Sequence, residues 1–120
     1  ASFSFELLFE NSEIKKVIGA EKEIKARIPD KEIIIAMKLH SGRLTDFRDI
    51  AALGKDTNID KIQKLITRGY VSPLKKNLVA LNKTIKDNNF IDSFKGVFIE
   101  KKFDIDLKQL EKISELYKNI

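Results

Sequence analysis

The spacing of apolar positions changes period along the chain, and the changes mark out the elements. Phe3, Phe5 and Leu7 alternate with Ser4 and Glu6, the period-two pattern of a strand. Asn11 or Ser12 then stands where a helix N-cap belongs, with Glu13 in the first turn. This predicts a short helix over "SEIKKVIG" that Gly19 ends. In "EKEIKARIP" the pattern returns to two: Ile24, Ala26 and Ile28 take one side and Glu23, Lys25 and Arg27 the other. This is the clearest strand of the sequence, with one side wet, and Pro29 stops it.

From residue 30 the period is helical. Asp30 is the expected cap of a helix whose buried body is "IIIAMKL", with Glu32 early where the helix dipole favours it. "SGR" at 41–43 breaks that helix. Thr45 is the expected cap of a second, "DFRDIAAL", which ends at Gly54. Phe47, Ile50, Ala51 and Leu53 form its apolar stripe, leaving Asp46 and Asp49 together on the opposite side, three residues apart.

After "GKDTN", Asn58 or Thr57 caps "IDKIQKLITRG", with Ile59, Ile62, Leu65 and Ile66 on one face and Gly69 as its stop. Ser72 as N-cap and Pro73 at the first helical position open "PLKKNLVALNKTIKDN", which carries Leu74, Leu78, Leu81 and Ile85. Residues 89–104 read equally well as strand or helix. Asp106 caps a last helix with Leu107, Leu110, Ile113, Leu116 and Tyr117 as its core stripe. The expected fold is therefore α+β: two or three N-terminal strands followed by a mainly helical bundle of four to five helices. Strands this short need a sheet to join.

Composition narrows the classes. With 120 residues and 42% apolar content there is room for one unit with a small packed core. Cysteine is absent and histidine occurs once, which removes disulfides, thiol catalysis and Cys- or His-rich metal sites within these residues. The longest apolar run, Ile33 to Met37, is far short of a membrane span, and no apolar block opens the chain. The expected setting is cytoplasmic, away from membranes. The sequence has no initiator Met and opens on a strand pattern, so it is expected to be a piece of something larger. A strand edge exposed there would pair with a second copy or another protein. The net charge of +5 is spread along the chain and fits solvated lysines or a face for phosphates.

Two groups of residues could carry chemistry. The first is "MKLHSGRLTDFRDI", residues 37–50. Asp46 and Asp49, one helical turn apart, suit a divalent cation. Equally, they suit the helix dipole and salt bridges to Arg43 and Arg48. Lys38 sits late in its helix, where a cation is favoured and from where it could reach a phosphate. His40 ends the same helix and reads as a capping or half-exposed residue rather than a general base. The second is "IDKIQKLITRGYVSPLKKNLVAL", whose two helices and short link have the outline of a helix-turn-helix. Lys75, Lys76 and Asn77 would lie at the start of its second helix, ready for nucleic acid. No Walker loop, nucleophile elbow or dinucleotide fingerprint is present, so no catalytic residue is assigned.

The segment "IPDKEIIIAMKLHSGRLTDFRDIAAL", following a strand, resembles the latter half of the nucleotidyltransferase-like domain. The family meant is the broad polymerase-β-type superfamily, including the abortive-infection toxin group. The matching positions are Pro29, Ile33, Ile34, Lys38, Leu39, Arg43, Asp46, Asp49, Ile50 and Leu53, and Gly42 falls near the family's small residue before the Arg. The match spans about residues 3–55. It implies a partial nucleotidyltransferase-like segment at 1–55 and a C-terminal helical bundle at 56–120, together one compact unit. The activity it implies is transfer of a nucleoside monophosphate from a nucleoside triphosphate (NTP), with Mg²⁺ held by carboxylates and a nucleotide or RNA as partner. Lys38 would lie near the triphosphate, with Asp46 and Asp49 orienting Lys38 and Arg43. The family's metal motif, a Gly-Ser turn followed by two Asp one residue apart, does not occur in these residues. A further carboxylate has no counterpart beyond Ser4 or Glu6. The chain is thus expected to be a fragment or degenerate relative, inactive by itself, for which Mg²⁺ and NTP belong to an intact homologue. The toxin group also raises a cognate antitoxin as partner. The alternative is a non-catalytic helical module that binds nucleic acid or a protein.

Overall fold

In the computed structural model, residues 3–18, 23–68, 71–90, 92 and 105–120 are described. The fold is α+β and mainly helical, with a two-stranded antiparallel sheet near the N-terminus. The elements run α1 (Phe5–Glu10), β1 (Ser12–Ile18), β2 (Glu23–Pro29), α2 (Lys31–Ser41), α3 (Leu44–Leu53), α4 (Ile59–Ile66), α5 (Val71–Ile85) and α6 (Leu107–Ser114). A 3₁₀ turn over Glu115–Asn119 ends the chain.

The first two elements exchange the types that local pattern assigns them. Residues 5–10 are a helix, not a strand, because Ser4 accepts the Leu7 backbone N–H at 3.2 Å as an N-cap. The burial then follows the helical period: Leu7 is enclosed, and Phe3 and Leu8 pack half-buried against the core. Asn11 closes this helix instead of opening the next, its side-chain amide donating to the Leu7 carbonyl at 2.9 Å. Residues 12–18 are a strand, not a helix. Ile14, Val17 and Ile18 sit at helical spacing but are β-branched, and a partner strand is at hand. The ladder pairs Ser12 with Pro29 through to Ile18 with Glu23. The Asp30 N–H donates to the Asn11 carbonyl at 2.7 Å, which ties the base of the hairpin shut.

Helix α2 is the centre of the bundle, packed by α3, α4 and α5, and its Ile33, Ile35, Ala36 and Leu39 are fully buried. The core is one cluster that runs from Leu7 through Phe47, Ile62, Leu74, Leu78 and Leu81 to Leu116. Asp30 stands at the N-cap of α2 without bonding its backbone. Its carboxylate instead receives Lys61 Nζ at 2.6 Å, while Glu32 Oε2 accepts the Asn58 N–H at 3.2 Å, so α4 is latched to the start of α2. Asn58 caps α4, accepting the Lys61 N–H, and Asp106 caps α6, accepting the Gln109 N–H, each as expected.

Other boundaries move. The cap residue of α3 is Arg43 rather than Thr45. α5 starts at Val71, two residues ahead of Pro73, where a proline in the first turn removes no needed N–H. Leu107 is 44% exposed and lies outside the core stripe that Leu110, Ile113 and Leu116 form. Within 89–104, Asn89 and Phe90 are helical and Phe90 is buried. Gly19, Gly69 and residues 93–104 lie outside the described residues.

Candidate functional site

Lys38, Arg43, Asp46 and Asp49 come together at the α2–α3 junction. The turn between the helices depends on Gly42, whose φ of +68° places it in the left-handed region that ends helices. That reversal lays the start of α3 beside the last turn of α2. Asp46 is the hub. Its Oδ2 accepts the Arg43 backbone N–H at 3.0 Å and Arg43 Nε at 2.9 Å, a capping box closed by an arginine. Lys38 Nζ lies 3.7 Å from Asp46 Oδ1 and 2.8 Å from Asp49 Oδ2.

Exposure separates the two carboxylates. The Asp46 side chain is 2% exposed and that of Asp49 is 53% exposed. Burial pushes the Asp46 carboxyl up, but hydrogen bonds from the Arg43 side chain, the Ser41 side chain and the Arg43 N–H reverse this. They bring it down from 3.8 to about 2. The bond to Asp49 holds the Lys38 ammonium above its ordinary value against the opposing effect of burial. Arg48 is exposed and stands outside the network. Ser41 belongs to the site although the sequence reading passed over it. The only local signal was a small hydroxyl residue immediately before the helix-ending glycine.

The carboxylates do not fit Mg²⁺. Both oxygens of Asp46 face cations, and Asp49 is bound to Lys38. Among the described residues no three acidic, His or Cys side chains form a metal-holding group. The arrangement can instead offer two cations to an anion. Lys38 and Arg43 are each anchored on the carboxylates, with side chains 29% and 73% exposed.

His40 Nε2–H donates to the Ile66 carbonyl at 2.9 Å, and Phe3 meets the ring edge-on at a centroid distance of 5.4 Å. Burial lowers its affinity for protons, and the ring serves as a link between the ends of α2 and α4. The three residues chosen for nucleic acid divide. Lys75 and Lys76 are exposed on α5, whereas Asn77 is turned inward and bonds the Leu39 and His40 carbonyls. α4 packs chiefly on α2, which departs from a helix-turn-helix, where the two helices brace each other.

A groove of about 410 Å³ opens between α1 and the hairpin, lined by Leu8, Phe9, Ser12, Arg27 and Pro29. The Arg27 guanidinium lies 3.9 Å from the centroid of the Phe9 ring. No described helix is long and apolar enough to cross a membrane. Comparison with known protein families, with curated proteins and with solved structures finds no match to this chain.

Proposed function

We propose that the α2–α3 hairpin is the phosphate-side support of a nucleotide site in a nucleotidyltransferase-like chain, and that residues 1–120 alone do not transfer nucleotides. The observation that carries this reading is the convergence of Lys38, Arg43, Asp46 and Asp49 on one network. Salt bridging alone would account for pairs. Here the buried Asp46 fixes the junction, and the exposed Asp49 holds Lys38 by a bond that an incoming triphosphate can displace. Lys38 and Arg43 then neutralise phosphate charge. The transfer step would need metal-binding carboxylates that the network does not supply. Calorimetric titration with ATP tests this. Binding weakened by Lys38→Ala and by Arg43→Ala is expected, and labelled nucleotide incorporated by this chain with Mg²⁺ would overturn the second half of the reading.

A second reading concerns partners and rests on the hairpin. Among the described residues β1 and β2 pair only with each other, and Ile14 and Ile28 are 62% and 37% exposed. A second copy adding its strand along the β1 edge would pair the open backbone there and shield Ile14 from the side, while Ile28, paired with Glu13, faces the other side of the sheet. Sedimentation across a concentration series decides: a dimer disrupted by Ile14→Lys supports it, and a monomer throughout removes it.

A further inference from the structure

Helix α5 carries a second, independent surface. From Val71 to Lys86 the sequence holds four lysines and no aspartate or glutamate. At 3.6 residues per turn, Lys75, Lys76 and Lys83 fall within an arc of roughly 100°, opposite the face that buries Leu74, Leu78, Leu81 and Ile85, and Lys86 follows in the turn directly after the helix. All four are exposed, and among the described residues none is in an ion pair. Lys83 lies in the last turn, where the helix dipole favours a cation. Lys75 and Lys76 lie in the N-terminal half, where it does not. The row runs about 12 Å from Lys75 to Lys83 at 1.5 Å per residue, with Lys86 just beyond. Asp87 follows, its carboxylate turned to the Asn89 N–H.

We infer that this face of α5 binds the phosphate backbone of double-stranded nucleic acid, without reading its sequence. Lysine is a flexible point charge suited to phosphates, and three of them along one exposed face, with a fourth just past its end, match a backbone whose charges repeat every few ångströms. The other residues on the arc are Ser72 and Val79. An aromatic platform, which single-strand binders use to stack bases, is missing from the arc, and this favours duplex. The one amide side chain near the start of the helix that could read a base edge, Asn77, is spent on the Leu39 and His40 carbonyls. Hence contacts go to phosphates, which position without specifying. The inference stands apart from the nucleotide site, because it uses none of Lys38, Arg43, Asp46 or Asp49.

The test is fluorescence anisotropy of a labelled 20-base-pair duplex with the full chain over a range of salt concentrations. Four phosphate contacts predict a slope of log affinity on log salt of about −3.6, the same for unrelated duplex sequences. Lys76→Gln/Lys83→Gln, with folding checked by circular dichroism, is expected to bring the slope down by about 1.8, whereas Lys31→Gln on α2 leaves it unchanged. A slope shallower than −1, or a double variant that behaves like the parent, would overturn the assignment. So would tighter binding to a single strand, or binding to phosphatidylserine vesicles without binding to duplex.

Discussion

Asn77 on α5 donates its side-chain amide to the carbonyl of Leu39 at 2.9 Å and to that of His40 at 3.2 Å. Those carbonyls belong to the last turn of α2, where no further N–H of the helix can reach them. The side chain of one helix thereby finishes another, thirty-eight residues earlier in sequence. Asn77→Ala leaves two half-buried carbonyls without this donor. A loss of about 1–3 kcal/mol is expected in urea unfolding at pH 7. Stability equal to the parent would mean that water replaces the amide without penalty.

Gly42 meets the same side chain. A Cβ placed there would run into the Asn77 side-chain amide, on a backbone already at φ +68°. Gly42→Ala is therefore strained in two ways, and a loss of at least 1 kcal/mol is expected. The two causes separate in a double-mutant cycle with Asn77→Ala. The steric part disappears when the amide is gone, while the backbone part remains.

Asp46 should dominate the acid limb of stability. Its folded value of about 2 lies below the 3.8 of the unfolded chain, so the carboxylate favours the folded state. That contribution, about 2 kcal/mol, is complete above pH 4 and is lost as pH falls toward 2. Asp46→Asn should be destabilising at pH 7 by a similar amount and nearly neutral at pH 2. A penalty independent of pH would assign the effect to shape rather than charge.

Asp49 gives the contrast. Its bond to Lys38 is short, at 2.8 Å, but the carboxylate is 53% exposed, and such pairs contribute little. Asp49→Ala is expected to cost about 0.5 kcal/mol or less in the same unfolding experiment, despite lying one turn from Asp46. A cost equal to that of Asp46→Asn would contradict the division of the site into a buried hub and a displaceable arm.

His40 adds an earlier stage to the acid limb. Burial lowers its value below 6.5 and the Nε2–H bond to Ile66 only partly offsets this, so the neutral ring is the form that packs. Its contribution is full above pH 6.5 and declines as pH falls below that, before Asp46 begins to titrate. Following the imidazole by NMR should give a midpoint below 6.5; one above it would contradict the buried, neutral link.

The sequence made the central helices legible because their signals are local. Asp30, Asn58 and Asp106 mark three helix starts, Gly54 follows the end of α3, and the stripes of α4 and α5 follow the helical period. The strand over Glu23–Pro29 is equally legible, whereas the two elements before it depart from their local pattern because their types depend on partners. Ile14, Val17 and Ile18 have helical spacing until β2 offers a ladder. Ser4 reads as the polar half of an alternation until it caps Leu7. At the site, the spacing of Asp46 and Asp49 was visible, but not their difference. Burial of Asp46 is set by the reversal at Gly42 and by the packing of α2 on α3, which no local pattern contains.

The most direct test of the proposed nucleotide site is calorimetric titration of ATP into the parent chain and into Lys38→Ala. Loss of one charge-assisted phosphate contact predicts affinity about tenfold weaker in the variant, with folding intact. Identical affinities, or no detectable binding by the parent, would leave the α2–α3 network as a structural latch and contradict the account.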